Sequence, residues 1–146
     1  MTQKQLIQGA GDGTAVPAGF IGELLSAQVL RASAVSCTTL TERTVTTLTL
    51  TAGVWDVSGS CAFSLGAGAS ATYQVCGINT AASIDFDKGR FGISAAITAT
   101  ASTSAYAIST QRVLVTSTQV VYLRCDQAFS GGTCTAYGII NAVRIA

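Results

Sequence analysis

The sequence predicts an all-β fold in which sheets pack face to face around one core. Three observations carry that prediction. The first is the stretch Thr49 to Phe63, TLTAGVWDVSGSCAF, which reads as the end of one strand, a turn at Ala52–Gly53, and a long second strand. Trp55, Val57, Gly59, Cys61 and Phe63 fall on one side of that strand, and Asp56, Ser58, Ser60 and Ala62 on the other. Alternation with a period of two marks a strand buried on one face, whereas a helix would scatter these apolar residues around its circumference. The second observation is the 20 threonines of the chain, since β-branched residues favour a pleated surface. The third is the spacing of turn signals at fairly regular intervals, with no convincing helical stripe between them.

Taken in order, residues 1 to 18 form a polar, glycine-rich arm closed by Pro17, the single proline. Gly9, Gly11 and Gly13 alternate as in a phosphate-cradling loop. No lysine follows them and no helix opens after them, so the segment reads as an arm. Residues 19 to 146 form the domain. Ala18 to Ser33 is the one place where helix competes with strand; Ile21, Glu23, Leu25, Ala27 and Val29 share a strand face, which Glu23 interrupts. Thr44 to Thr51 is a strand with Leu48 and Leu50 inward. Gly66 and Gly68 mark the turn after the Trp55 strand. Thr72 to Ile78 is a strand, Asn79 to Gly92 a charged loop, and Ile93 to Ser104 a small-residue, β-leaning stretch. Tyr106 to Thr116 carries Val113 and Val115 on one face, and after a turn at Ser117–Thr118 a further strand aligns Val121, Leu123 and Cys125. Phe129 to Thr133 reads as a turn into a last strand, Ala136 to Ile145. There Tyr137, Ile139, Val143 and Ile145 share a face, and Asn141 on the same face needs a partner if buried. About eight short strands in one chain of this length make a sandwich or a jelly roll the economical solution.

Composition bounds the function. At 146 residues the chain is one domain, long enough to bury about 70% of its unfolded surface, so it needs neither disulfide nor metal to fold. Charged residues are 10% of the chain, against about 25% in ordinary soluble domains, and hydrophobic residues are 49%. No run reaches the ~18 uninterrupted apolar residues of a membrane-spanning helix. A chain so poor in charge is expected to cover part of its surface with copies of itself or with a partner. The eight basic residues are spread without a run, which argues against nucleic acid as a partner. The N-terminus has neither a signal-peptide core nor a lipidation motif, so synthesis in a cytoplasm is expected.

Histidine is absent, which excludes Ser-His-Asp and Cys-His catalysis. The five cysteines, Cys37, Cys61, Cys76, Cys125 and Cys134, have no C-x-x-C spacing and read as reduced, packed thiols with no metal; Cys125 and Cys134 flank a turn and are the one candidate pair. The remaining chemistry lies in the loop I-D-F-D-K-G-R-F, where Asp85, Phe86, Asp87, Lys88, Arg90 and Phe91 mix charge with aromatic surface. Asp85 and Asp87 lack the oxygen-rich spacing of a calcium loop, and no second carboxylate faces them as in a glycosidase. The loop is therefore a candidate contact for a receptor or a neighbouring protein. No catalytic residue and no cofactor are expected.

Three blocks carry a resemblance: PAGFIGELLSA (Pro17 to Ala27), LTLTAGVWDVSGSCAF (Leu48 to Phe63) and FSGGTCTAYGIINAVRI (Phe129 to Ile145). The chain resembles a family of small bacteriophage virion modules found at the ends of tail fibres and in related particle-surface proteins. The first block is similar to their P-A-G-aromatic-hydrophobic-G-E opening and the second to their L-T-A-G-x-W-x-V-x-G strand. The third resembles their closing strand, with Tyr137, Gly138, Ile140, Ala142 and Arg144 in the matching places. Residues 64 to 116 lie outside the resemblance. It implies a jelly roll of the tumour-necrosis-factor/C1q kind, assembled as a homotrimer in a virion.

The expected function is thus non-enzymatic: a trimeric capsid decoration (cement) protein anchored through its N-terminal arm. Its partners would be itself and the major capsid protein. The alternative is a tail-fibre tip or other tail component, with tail proteins and a host surface receptor as partners; a lectin-like or C1q-like binding module is the third. Read as starting at Met1, the chain has no shaft, because 18 extended residues reach only ~60 Å. That favours decoration.

Overall fold

The computed structural model describes residues 15–84, 91–93, 99–100 and 102–146. The expected all-β architecture is present, as two antiparallel sheets packed on each other. Its elements are β1 (Leu24–Val29), a short 3-10 turn (Arg31–Ser33), β2 (Val35–Ser36), β3 (Arg43–Leu50), β4 (Gly53–Leu65), β5 (Ser70–Asn79), β6 (Phe91–Ile93), β7 (Ala99–Thr100), β8 (Thr103–Val115), β9 (Gln119–Ser130) and β10 (Cys134–Arg144). The first sheet has the order β1-β10-β4-β8, with β2 also paired to β10. The second has the order β3-β9-β5-β6, with β7 also paired to β5. From β3 onward the chain changes sheet at almost every connection, as in a jelly roll. Because β1 and β2 share one flank of β10, and β6 and β7 one flank of β5, the architecture reduces to eight strand positions.

The core lies between the sheets and is sorted by alternation. On β4, Trp55, Val57, Cys61 and Phe63 are buried and the residues between them are not. Leu48 and Leu50 of β3 and Val121, Leu123 and Cys125 of β9 meet them from the other sheet. Phe63 and Tyr106 meet edge to face, with ring centroids 6.0 Å apart. Burying a side chain such as Phe63 contributes about 1.5–3 kcal/mol relative to leaving it exposed.

Of the boundaries that differ from the sequence reading, four follow from tertiary pairing that extends or ends a strand. The competing stretch at 18–33 is a strand only over Leu24–Val29, after two turns in which Phe20 N–H reaches Pro17 O and Glu23 N–H reaches Phe20 O. The strand expected to end at Cys125 runs on to Ser130, because β5 offers partners as far as Ser70. Phe129 and Ser130 are therefore strand, and the turn shrinks to Gly131 and Gly132, both at positive φ. The charged loop ends early, since Phe91–Ile93 already pairs with β5.

The larger correction concerns β10. Its core face consists of Cys134, Ala136, Ile140, Ala142 and Arg144. Tyr137, Ile139, Asn141 and Val143 face outward, and all are at least partly exposed. Gly138 fixes this arrangement: a Cβ there would overlap Ser60 O and lie 3.0 Å from Cys61 Cα, both backbone of the neighbouring strand.

Candidate functional site

The outward face of the β1-β10-β4-β8 sheet is the surface on which function can be argued. The strand register sets out its rows. Leu24, Val143, Asp56 and Arg112 lie side by side across four strands, and Val54 sits opposite Leu114 near one end. Further along, Ser26, Asn141 and Ser58 form one row, and Gln28, Ile139, Ser60 and Ala107 another. Asn141 thus faces outward among hydroxyls, which removes the difficulty its position posed in the sequence. Leu24 is 63% exposed, Leu114 72% and Val143 38%. Beside the 3-10 turn, small residues (Ser60, Ala62 and Ala105) leave a shallow depression of about 200 Å³ bordered by Leu30, Tyr137 and Ile139.

Charge on this face is sparse and paired. Arg112 donates from Nε to Asp56 Oδ1 at 3.0 Å and from Nη2 to Oδ2 at 3.1 Å, a two-pronged contact that holds the Asp56 carboxyl below its ordinary range. Arg31, at the rim, donates to Ser64 Oγ at 3.3 Å. The opposite face of the sandwich is built differently. Arg124 pairs with Glu42 at 3.1 Å and donates to Thr44 Oγ1, and the Tyr73 hydroxyl donates to Asp126 Oδ2 at 2.7 Å. Burial and that hydrogen bond push the Tyr73 phenol up to about 12. One outer face is a polar network; the other mixes small and hydroxyl residues with exposed Leu24, Leu114 and Val143.

The three motif blocks of the sequence meet at one end of the first sheet. Arg144 Nε donates to Glu23 Oε2 at 3.0 Å, with both side chains buried. Its Nη1 reaches Ala52 O at 2.6 Å and its Nη2 donates to Thr51 Oγ1. The guanidinium lies over the Trp55 ring, 4.4 Å from the centroid, and Trp55 Nε1 donates to Thr51 O at 2.9 Å. Gly19 N–H donates to the same Glu23 oxygen at 2.7 Å. Burial alone would raise the Glu23 carboxyl, but the Gly19 N–H and the Arg144 guanidinium outweigh it and hold the group below its ordinary value. Backbone bonds from Gly22 to Arg144 and from Arg144 to Glu23 complete the clamp. Gly53, at φ +149°, is required here, because a Cβ would overlap Arg144 Nη1. The motif residues are thus the root that fastens the segment from Pro17 to Glu23 onto the sheet. Sequence reading treated Glu23 as a flaw in a strand face and had no partner for Arg144.

Of the sequence-predicted loop, Asp85, Phe86, Asp87, Lys88 and Arg90 lie outside the described residues, and Phe91 opens β6 opposite Gly77. Within that loop, Ile84 is anchored by its N–H to Glu42 Oε2 at 2.9 Å. All five cysteines are buried, and Cys125 and Cys134 are not joined; Cys37 contacts both. Among the described residues no group of three or more His, Cys, Asp or Glu side chains is arranged to hold a metal ion.

No protein-family model matches the chain, and no curated protein matches its sequence. Among solved structures it is similar to the infectious bursal disease virus VP2 subviral particle (14% identity, TM-score 0.45, 85% of this chain). It is also similar to the Gx strain of the same virus (15%, 0.43, 84%) and to T=1 particles derived from it (14%, 0.43, 85%). The chain spans about 30% of the length of the chains it matches there.

Proposed function

We propose that this protein is a non-enzymatic structural component of a bacteriophage particle, a homotrimer acting as a capsid decoration protein. One observation carries the reading: the outward face of the β1-β10-β4-β8 sheet, exposed in the single chain, sets Leu24, Leu114 and Val143 among small and hydroxyl side chains, and its Asp56–Arg112 ion pair is internally neutralised. Two further copies of the same chain are the occupants that fit it. A sheet face whose few charges are already internally neutralised has little to offer a charged partner, and its small residues let a copy of itself approach closely. The low charge of the whole chain supports the same reading, and the three motif blocks support its trimeric virion part. The clamp at Glu23 and Arg144 gives the glycine-rich N-terminal segment a rigid root, which suits an arm that grips the head surface.

A tail-fibre tip is the second reading, favoured by the motif blocks themselves, since the modules they resemble end such fibres. In that role the 85–91 loop would meet a host receptor. Light scattering of the purified protein tests the shared claim: a three-chain species at micromolar concentration supports it, and a well-behaved single chain overturns it. Electron microscopy of particles carrying the labelled protein separates the roles. Label over the head lattice supports decoration, and label only at the tail replaces it with the second reading.

A further inference from the structure

The five cysteines, scattered in sequence, are contiguous in the core. Cys37 contacts Cys134 and Cys125, and Cys61 in turn contacts Cys125 and Cys76. Two pairs within this series lie directly opposite one another on antiparallel neighbours. Cys76 and Cys125 are register partners of β5 and β9. Cys37 and Cys134 occupy the position that follows Ser36–Thr135 on the β2–β10 ladder, and Cys37 N–H donates to Cys134 O at 2.9 Å. Directly opposed residues on antiparallel strands have Cα atoms about 4.5–5.5 Å apart, within the range a disulfide spans. Both side chains of each pair are buried in the core.

Access separates the two pairs. Cys76 and Cys125 are 0% exposed, whereas Cys37 retains 8%, the largest value among the five. It sits where the chain leaves β2 for a tight turn closed by a Thr38–Thr41 bridge and tipped by Leu40, 71% exposed. Its neighbours also favour the thiolate needed for exchange: hydrogen bonds from Cys125 and Cys134, aided by the Arg43 charge, lower the Cys37 thiol well below its ordinary value against the effect of burial. The hydrogen bond to the Cys37 sulfur and burial push Cys134 the other way, so it keeps its proton while Cys37 carries the charge.

We infer that Cys37 is a redox-modification site at which a low-molecular-weight disulfide is exchanged into an internal Cys37–Cys134 bond. The Cys37 thiolate attacks one sulfur of the small disulfide and forms a mixed disulfide, and the other half leaves as thiolate. The released small thiolate takes the Cys134 proton; the Cys134 sulfur attacks the Cys37 sulfur and expels the second half as a thiolate, which takes up from water the proton Cys37 gave to it. One protein disulfide forms, one small disulfide is consumed, and two small thiols are released. The bond would close nearly the whole domain into one loop once the protein passes from a reducing cytoplasm to oxidising surroundings. This inference does not depend on the virion reading.

The test is incubation of the folded protein with oxidised glutathione, followed by alkylation and non-reducing peptide mapping. The expected product joins Cys37 to Cys134, leaves Cys61, Cys76 and Cys125 alkylatable only after unfolding, and raises the thermal midpoint by on the order of 10 °C. In Cys134→Ala the reaction stops at a glutathione adduct on Cys37, and in Cys37→Ser neither adduct nor bond forms. If Cys134→Ala does not fold, the same adduct is sought in the wild-type protein by quenching at early times. A bond through Cys125, a first adduct on another cysteine, chains joined to each other, or no reaction while the protein stays folded would each overturn the inference.

Discussion

Replacing Glu23 by Gln removes the charge that Arg144 meets at the root of the N-terminal segment while preserving size. Both side chains are buried, so the change leaves a guanidinium with one fewer anionic partner and no water to replace it. Removing one member of a buried pair costs about 3–5 kcal/mol. The lower end applies here, because Arg144 keeps the Ala52 carbonyl, the Thr51 hydroxyl and the Trp55 ring, and the new amide oxygen still accepts from Gly19. A loss of about 3 kcal/mol lowers the thermal midpoint of a domain this size by about 6–12 °C. The pH dependence adds a second readout. Glu23 titrates below its ordinary value of 4.5 in the folded chain, so its contribution is complete above that value and is lost as pH falls through the lowered one. Urea unfolding at pH 7 and in the acid range should therefore show Glu23→Gln weaker at neutral pH and less sensitive to acid than the wild type. Glu23→Leu combined with Arg144→Met should lose less than the sum of the single changes. A loss under about 1 kcal/mol at pH 7, with unchanged acid sensitivity, would refute the clamp and leave Arg144 held by Thr51, Ala52 and Trp55 alone.

Other consequences are as direct. Gly138→Ala places a methyl against the backbone of Ser60 and Cys61, and should cost about 3 kcal/mol by urea midpoint or leave the protein insoluble. Leu114→Lys or Val143→Asp puts charge on the sheet face proposed to meet further copies; circular dichroism should stay unchanged while light scattering shows the proposed trimer replaced by single chains. The Tyr73 phenol should ionise near 12 in ultraviolet titration. Its contribution to stability is complete below the ordinary value of 10 and is lost as pH rises through the folded one, and Asp126→Asn should bring the transition down.

How much was legible in the sequence depends on the strand. On β4 the alternation both located the strand and named its buried face, because the residues on the other face are polar or small. On β10 the same alternation located the strand and reversed its faces. Tyr137, Ile139 and Val143 are bulkier than Ala136, Gly138 and Ala142, so apolar volume pointed inward the wrong way. The motif blocks were readable as a pattern but not as a clamp, since Gly19, Glu23, Thr51, Trp55 and Arg144 are brought together only by the β1–β10 and β10–β4 pairings. The cysteine series was invisible for the same reason, with Cys37 and Cys134 almost a domain's length apart.

By itself, then, the sequence determined the class of fold, most of the strand positions and the poverty of charge. Each of these follows from local periodicity or composition, which a chain carries whatever its neighbours do. The tertiary structure alone decided which side of β10 faces solvent, that Arg144 is buried against Glu23 and Trp55, and that Cys37 meets Cys134. Those depend on register between strands far apart in the chain, where a shift of one residue turns every side chain to the opposite face.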